Sequence, residues 1–144
     1  STQRHSYDVL GDAVSTTARL EGQCKAYGVL LIIGPTTYER TKDDFFYLEL
    51  DELAVKGKTV GLHIYTVLDD PKPTWVKSKK KHDEMLKLYR NKEFDKAQKS
   101  CELLANHFDG KMEGYYEMWI ERCEFMKTQQ LPENWDGIFR ATTK

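Results

Sequence analysis

The sequence predicts an α+β fold followed by a helical extension, and two patterns and the charge distribution support this. Up to about residue 68, short strand-like apolar runs alternate with helical segments, whereas beyond residue 82 apolar positions recur every three or four residues. Residues 1–70 carry 7 Lys and Arg against 11 Asp and Glu, while residues 71–144 carry 15 against 12. We therefore expect two unlike parts, residues 1–69 and 83–144, joined by a linker at 70–82.

The size and composition exclude several classes of protein. A chain of 144 residues with 40% apolar residues is long enough for one ordinary domain and too short for a large multidomain enzyme. Its longest apolar run, 29–33, is far shorter than the roughly 20 residues of a membrane span. The 3 cysteines show no CxxC spacing and the 4 histidines no paired spacing, so we expect a soluble, cytoplasmic protein without a disulfide framework or zinc site.

The first part begins with three predicted elements. Residues 6–10 form a short strand-like run. A helix follows Gly11, because apolar positions from Ala13 to Tyr27 recur every three or four residues, and Gly28 is a typical residue at a helix C-terminus. The continuous apolar run 29–33 is typical of a strand buried on both faces.

Three further elements complete the predicted order β-α-β-α-β-β. Pro35 suits the first turn of a short helix that we place at 36–42. Two strand-like runs follow, at 45–55 and 60–68, and the glycine-centred turn at 56–58 between them predicts a β-hairpin. The acidic middle of the first run suggests a bend in that strand.

The second part is predicted to contain three antiparallel helices. The first is expected near 83–91; the second follows the apolar series from Phe94 to Phe108, and the third follows the series from Met112 to Met126. Asp109 and Gly110 mark the break between the last two. The tail after residue 130 is expected to be extended, with Trp135 and Phe139 anchoring it to the helices.

Ser15 and Arg19 are the first candidate functional residues. Their i, i+4 spacing places them together on the helix face opposite the apolar stripe. Without further sequence context, such a pair usually belongs to a solvent-exposed face of a helix. The surrounding sequence favours a functional role.

The string YDVLGDAVSTTARLEG at 7–22 closely resembles the strand-turn-helix signature of class III nucleotidyl cyclases. The resemblance continues through 29–68, including the turn sequence VKGK, and covers about residues 4–68. It implies the C-terminal half of a palm-like (ferredoxin-like) catalytic domain of a bacterial adenylate cyclase, which converts ATP to cyclic AMP and pyrophosphate in intracellular signalling. It also implies a homodimer in which two domains pair head to tail with the active site between them.

The resemblance assigns roles to individual residues. Asp8 corresponds to the residue that reads the base, and its carboxylate can accept a hydrogen bond from the adenine amino group, which favours ATP over GTP. Arg19 corresponds to the arginine that stabilises charge on the α-phosphate during attack by the ribose 3′-hydroxyl. Lys56 corresponds to the lysine that binds the terminal phosphates; considered alone, it would be an ordinary solvated hairpin residue.

One residue departs from the family pattern. Ser15 stands where the family usually carries an asparagine that hydrogen-bonds the ribose. Serine has a shorter reach and one donor instead of two. Reduced activity, or a degenerate domain with a regulatory, protein-binding role, is therefore the alternative interpretation.

The metal site of the family is not represented in this sequence. The resemblance implies Mg²⁺ or Mn²⁺ held by two aspartates on strands that precede this string. Asp12 is better explained as a cap at a helix start. The sequence also begins without an initiator methionine. We therefore expect a piece of a longer enzyme that is inactive alone and that associates through an unpaired sheet edge.

The helical part carries weaker signals. Residues 84–108 resemble a single tetratricopeptide-type helical hairpin, although a three-helix cap on the cyclase domain is the preferred interpretation. The basic run around residues 77–81 lacks interleaved aromatic residues, which favours a solvated linker over a nucleic-acid site. In relatives with a similar C-terminal end, membrane spans often precede this part of the chain. We therefore expect any attachment of the parent protein to the inner membrane to be made by segments outside this sequence.

Overall fold

Five helices and a two-stranded sheet make up the part of the chain that the computed structural model describes, which is residues 23–54, 57 and 59–140. The α+β class is therefore confirmed for these residues. The predicted strand 6–10 and most of the helix after Gly11 lie outside them. In chain order the elements are α1 (Cys24–Tyr27), α2 (Pro35–Thr41), β1 (Phe46–Leu53), β2 (Leu62–Leu68), α3 (Trp75–Arg90), α4 (Phe94–Leu104), a 3₁₀ turn (Phe108–Gly110) and α5 (Glu113–Met126).

The predicted hairpin is confirmed. Strands β1 and β2 pair antiparallel from Phe46 opposite Leu68 to Leu53 opposite Leu62. The register shifts between Glu49 and Asp51, so Leu50 is the extra residue of a β-bulge at the acidic middle where a bend was expected. The side chains that the sheet buries completely are those of Leu48, Leu50 and Ile64.

The interpretation of 29–33 as a strand buried on both faces is wrong. Ile33 forms an isolated antiparallel bridge with Tyr65, and Thr66 donates a hydrogen bond to the Leu31 carbonyl. Leu30 is fully exposed and Leu31 is about half exposed. The run lies along the outer edge of β2, where the described residues cover it from one side. A continuous apolar run cannot by itself separate an edge segment from a central strand.

The predicted end of α1 is confirmed and depends on a glycine. Gly28 has φ +66°, and its backbone N–H caps the last turn of the helix. A Cβ atom at this position would also lie 3.0 Å from the backbone carbon of Gly114, on α5. Both the left-handed conformation and the close approach of two backbones therefore favour glycine here. The short helix predicted at 36–42 is observed as α2, one residue earlier.

Helix α3 begins earlier than the sequence suggested. It starts at Trp75, so most of the interval 70–82 that was predicted as a linker is helical. Pro71 and Pro73 precede the helix and do not interrupt it, and lysines favour helix formation. Its inward positions Trp75, Ser78 and His82 are all buried at helical spacing, but two of them are polar, which hid the periodicity.

The two later helices are confirmed. The apolar positions predicted for them are buried. Between the two helices, Asp109 leaves the helical conformation, with φ +56°. The hairpin and helices α3–α5 share one continuous apolar core. In the described part of the chain, no helix combines the length and apolar character that a membrane crossing requires.

The tail anchors on the helices as predicted. Trp135 packs edge-to-face against Tyr89 and Phe94, with ring centroids 5.6 and 5.9 Å away. Phe139 packs against Phe125 at 6.2 Å. The aromatic residues therefore fasten the non-helical C-terminal segment to α3, α4 and α5.

Candidate functional site

The four residues predicted to bind or act on substrate lie outside the described residues. Asp8, Ser15 and Arg19 belong to 1–22, and Lys56 belongs to the segment 54–61 that joins the two strands. The structure therefore neither brings them together nor separates them. It does describe a framework made of the elements adjacent to them in sequence, α1 and the end of β1, together with helices α3–α5.

A buried ion pair lies at the centre of this framework. The Arg122 guanidinium on α5 donates to Asp51 on β1 at 2.6 Å, and the Tyr27 hydroxyl on α1 donates to the same carboxylate oxygen at 2.6 Å. The side chains of Arg122 and Asp51 are only 8% and 2% exposed. Three elements distant in sequence therefore meet at one carboxylate.

Aromatic rings enclose the Arg122 side chain. Its guanidinium carbon lies 4.5 Å from the Trp119 ring centroid and 4.4 Å from that of Phe139. Burial opposes the charge of Arg122, but the neighbouring Asp51, Tyr27 and Tyr89 together outweigh it, so the pKa of Arg122 is held above its ordinary value. Burial, followed by the Asp51 charge, raises the pKa of the Tyr27 phenol. Arg122 therefore stays charged although it is removed from water, and Asp51 is its ion-pair partner.

The helices also satisfy backbone groups at the β-bulge. The Tyr115 hydroxyl donates to the Leu50 carbonyl at 2.6 Å, and His82 Nε2 contacts the Glu49 carbonyl at 2.6 Å. Bulges leave such groups without a ladder partner, and a buried unpaired carbonyl costs about 1–3 kcal/mol. Side chains from α3 and α5 therefore replace a neighbouring strand at this point of β1.

His82 is fully buried and both of its ring nitrogens are engaged. Because Nε2 faces a carbonyl, it carries the proton, and Nδ1 accepts from the Tyr116 hydroxyl at 2.8 Å. Burial lowers the pKa of His82 to about 4. The imidazole is therefore neutral near pH 7 and has no free nitrogen with which to transfer a proton.

A second charged cluster lies on the other side of β1. Glu49 accepts hydrogen bonds from Arg90 at 2.8 Å and from His63 Nδ1 at 2.6 Å. Beside it is a cavity of about 270 Å³ that three tyrosines help to line, namely Tyr38, Tyr47 and Tyr65. The cluster ties α3 to both strands.

A cavity of about 730 Å³ adjoins the buried ion pair. Tyr27 and Leu53 form one wall, and Met118 and Phe125 of α5 form another. Gln23, the first described residue, also lines it.

The described side chains do not by themselves form a catalytic centre. Asp51, Glu49 and His82 are each engaged by protein partners, and among residues 23–54, 57 and 59–140 no group of three or more His, Cys, Asp or Glu side chains could hold a metal ion. The described residues therefore do not fit the Mg²⁺ or Mn²⁺ site that the resemblance implies.

Sequence reasoning missed the buried network. In the sequence, Glu49 and Asp51 indicate only the acidic middle of a strand. Arg122 is not part of the apolar series that predicts its helix. One signal was available: in a strand with a buried face, carboxylates at positions 49 and 51 require partners. The sequence does not indicate which cations supply them, because they lie 41 and 71 residues away.

Comparison with known proteins supports a relationship to adenylate cyclases. The chain is 38% identical over 63 residues to the adenylate cyclase, terminal-differentiation specific, of Dictyostelium discoideum, a match that covers 42% of this chain and 3% of that protein. It is 32% identical over 66 residues to adenylate cyclase 1 of Rhizobium meliloti (strain 1021), covering 46% of this chain and 10% of the relative. The chain thus spans a tenth or less of these relatives.

Two other comparisons were negative. No protein-family model matches the chain, and no solved structure matches it. The similarity to adenylate cyclases is therefore partial.

Proposed function

We propose that this chain is part of an adenylate cyclase that converts ATP to cyclic AMP and pyrophosphate in intracellular signalling. One observation carries the proposal: two adenylate cyclases from distant organisms are similar to just under half of the chain. It is supported by the residues Asp8, Arg19 and Lys56, which stand at the positions that the class III cyclase pattern reserves for base, transition-state and phosphate contacts.

In the proposed reaction the ribose 3′-hydroxyl attacks the α-phosphorus and its proton is released to water. The bond from the α-phosphorus to the bridging oxygen breaks, and pyrophosphate leaves. Negative charge grows on the equatorial oxygens of the α-phosphate, where the Arg19 fork would stabilise it. Lys56 would bind the terminal phosphates, and the Asp8 carboxylate would accept a hydrogen bond from the adenine amino group.

The hairpin supports the role given to Lys56. Lys56 belongs to a short connection between two paired strands, and the neighbouring Gly57 has φ +79°, with no atom of the described part of the chain within 4 Å of a Cβ built there. A left-handed glycine in an open turn leaves the backbone accessible from outside. Such a turn suits a lysine that approaches a phosphate chain.

The proposed enzyme works as a head-to-tail pair of domains, with ATP at the interface and the metal carboxylates supplied from outside these 144 residues. The location is proposed to be cytoplasmic, with any attachment to the inner membrane made by other segments of the parent protein. We expect no cyclase activity from the purified chain alone. Formation of cyclic AMP from ATP by this chain with Mg²⁺ or Mn²⁺ would contradict that expectation.

The experiment that tests the proposal uses the chain joined to the preceding part of its reading frame. We expect cyclic AMP from ATP and little cyclic GMP from GTP, because Asp8 favours the adenine amino group. Lys56→Ala should raise the KM for ATP, whereas Lys58→Ala, in the same turn, serves as the matched control. Equal effects of the two lysine variants would contradict the role of Lys56.

A second function is favoured by Ser15. Because it replaces the asparagine expected beside the ribose, the chain could instead be a degenerate cyclase half or a helical docking module with a regulatory, protein-binding role. Ser15→Asn distinguishes the two. A several-fold gain in turnover supports the enzyme, while an extended chain that is inactive with either residue supports the regulatory module.

A further inference from the structure

We propose that the outer side of α3, with the groove that it forms against α4, binds the headgroups of an anionic phospholipid bilayer. This side consists of Val76, Lys77, Lys80 and Lys81 and is named the basic face. The inference goes beyond the proposed function and does not depend on it, because none of these residues belongs to the proposed substrate site. The contact is peripheral and reversible, and it adds to any anchoring by other segments of the parent protein.

The lysines of the basic face are exposed and have no ion-pair partner in the described part of the chain. Lys77, Lys80 and Lys81 are spaced as i, i+3 and i+4, which places them on one side of the helix. The ion pairs formed among residues 23–54, 57 and 59–140 include none of the three. Residues 75–82 contain four lysines and no Asp or Glu. The first turns of α3 therefore concentrate positive charge.

This charge is unfavourable for the helix that carries it. The N-terminus of a helix has a partial positive charge, which favours acidic residues in the first turn. The first turn of α3 contains no acidic residue, and lysines follow directly at 77 and 79–81. These lysines therefore do not stabilise α3 through its dipole, and a negatively charged surface outside the helix would offset their repulsion.

The opposite side of the helical extension is acidic. Helices α3 and α5 turn their buried faces towards each other, since the Tyr89 ring packs edge-on against Trp119 at 4.5 Å and His82 Nδ1 bonds the Tyr116 hydroxyl at 2.8 Å. Their exposed faces therefore point away from each other. The exposed face of α5 carries four carboxylates at helical spacing, namely Glu113, Glu117, Glu121 and Glu124. A negatively charged surface would attract the basic face and repel the face of α5, which orients the extension.

The groove between α3 and α4 gives the basic face room for a headgroup. It has a volume of about 320 Å³, and Lys80 and Lys81 line its α3 side. On the α4 side, Ser100 supplies a hydroxyl and Leu103 supplies apolar surface. Ammonium and hydroxyl groups can donate to phosphate oxygens, and the leucine can contact the upper acyl carbons. One carboxylate, Glu84, also lines the groove, so its two ammonium groups leave an excess of positive charge.

Exposed apolar side chains beside the lysines favour a lipid over other polyanions. Val76 is 58% exposed and Leu103 is 73% exposed. Lysines next to exposed apolar residues are typical of helices that lie on a membrane surface. A nucleic-acid site would be expected to add arginines or exposed aromatic rings, and the basic face contains neither. Lysine is a hydrated point charge, which suits a diffuse layer of headgroups.

Vesicle co-sedimentation of the full chain tests the proposal. The vesicles contain equal parts of phosphatidylcholine and phosphatidylglycerol, and pure phosphatidylcholine vesicles are the neutral control. We expect binding to the anionic vesicles alone, and weaker binding as the salt concentration rises. Equal binding to both kinds of vesicle, or binding to neither, would overturn the inference.

A triple variant locates the contact. Lys77→Gln, Lys80→Gln and Lys81→Gln together should weaken binding to the anionic vesicles about 100-fold, since each lysine near such a surface contributes about fivefold. The matched control removes the same charge elsewhere by replacing three exposed lysines by Gln, namely Lys25, Lys42 and Lys127. It should weaken binding by less than about threefold. Equal losses in the two triple variants would show attraction by net charge alone and would exclude the basic face as the site.

A single variant tests the apolar contribution. Leu103→Ser should weaken binding to the anionic vesicles about tenfold, because it removes an apolar side chain that the bilayer would bury. Leu30→Ser, at an exposed leucine beside β2, is its matched control and should have no effect. Polyglutamate, an acidic chain without lipid, serves as competitor. Undiminished binding by Leu103→Ser, or displacement of the vesicles by polyglutamate at an equal concentration of negative charge, would contradict a lipid partner.

Discussion

The Asp51 carboxylate organises the described structure at the scale of single residues. It accepts hydrogen bonds from Arg122, from Tyr27 and from the Glu52 backbone N–H, so both of its oxygens are engaged. A buried ion pair is weak support for stability relative to apolar residues, because desolvation offsets the attraction. The pair is better explained by the fixed geometry that it imposes on three elements.

Removal of one partner of this pair should be costly. We expect Arg122→Met to lower the free energy of unfolding by about 3–5 kcal/mol, because it leaves the buried Asp51 charge with no cation and only the Tyr27 hydroxyl and the Glu52 N–H as partners. Arg140→Met, at an exposed pair, should change it by less than about 1 kcal/mol. Urea unfolding of both variants measures the two losses of unfolding free energy. Similar losses for Arg122→Met and Arg140→Met would contradict the importance of the buried ion pair.

His82 should make stability depend on pH. Its folded pKa of about 4 lies below the unfolded value of 6.5, so below pH 6.5 the unfolded chain binds a proton that the folded chain excludes. The contribution of neutral His82 to the free energy of unfolding is therefore fully present above pH 6.5. The free energy of unfolding falls by about 3 kcal/mol as the pH drops to 4.

The measurement compares urea unfolding of the wild type and His82→Gln across this range. The amide can still hydrogen-bond the Glu49 carbonyl but does not titrate, so the variant should lose less stability on acidification. His107→Gln, at a partly buried histidine bonded to Ser78, is the matched histidine control. A parallel pH dependence for wild type and His82→Gln would refute the assignment.

At the scale of elements, the helical extension and the hairpin depend on each other. Leu48, Leu50 and Ile64 are fully buried in a core that α3–α5 complete, and an isolated two-stranded hairpin is marginal in water. The extension is thus an integral part of the structure and not a loosely attached module.

A truncation tests this dependence. A chain that ends at Asp70 should show no cooperative unfolding transition by circular dichroism, because its apolar face would be left in water. A chain that ends at Thr128 keeps the three helices and should unfold cooperatively at a lower urea concentration than the full chain. Cooperative unfolding of the shorter chain would contradict the shared core.

The elements differ in how well the sequence predicted them. The helices α4 and α5 and the hairpin follow from periodicity and from a glycine turn, because their buried positions are apolar and evenly spaced. The start of α3 was missed since Ser78 and His82 are polar residues on its buried face. The ion pair of Arg122 with Asp51 joins residues 71 positions apart, and a single sequence carries no signal for such a pairing.

At the scale of the whole molecule, the exposed Leu30 and Leu31 suggest association. Leu30 and Leu31 project from the outer side of β2, and open apolar edges favour pairing with another chain. We expect sedimentation to detect dimers or larger species at high protein concentration. Leu30→Lys should reduce association, while Leu103→Lys, at an exposed leucine on α4, should not; a monodisperse wild-type monomer would contradict this expectation.

The central claim is that the chain supplies one half of a cyclase site, with Arg19 stabilising the transition state. The most direct test measures cyclic AMP formed from ATP by the chain joined to its preceding reading frame, with Arg19→Ala compared with Arg40→Ala on the exposed surface of α2. We predict activity in the wild type and in Arg40→Ala, and a loss in kcat of about 100-fold or more in Arg19→Ala. Undiminished activity in Arg19→Ala, or no cyclic AMP from the wild type with Mg²⁺ or Mn²⁺, would contradict the claim.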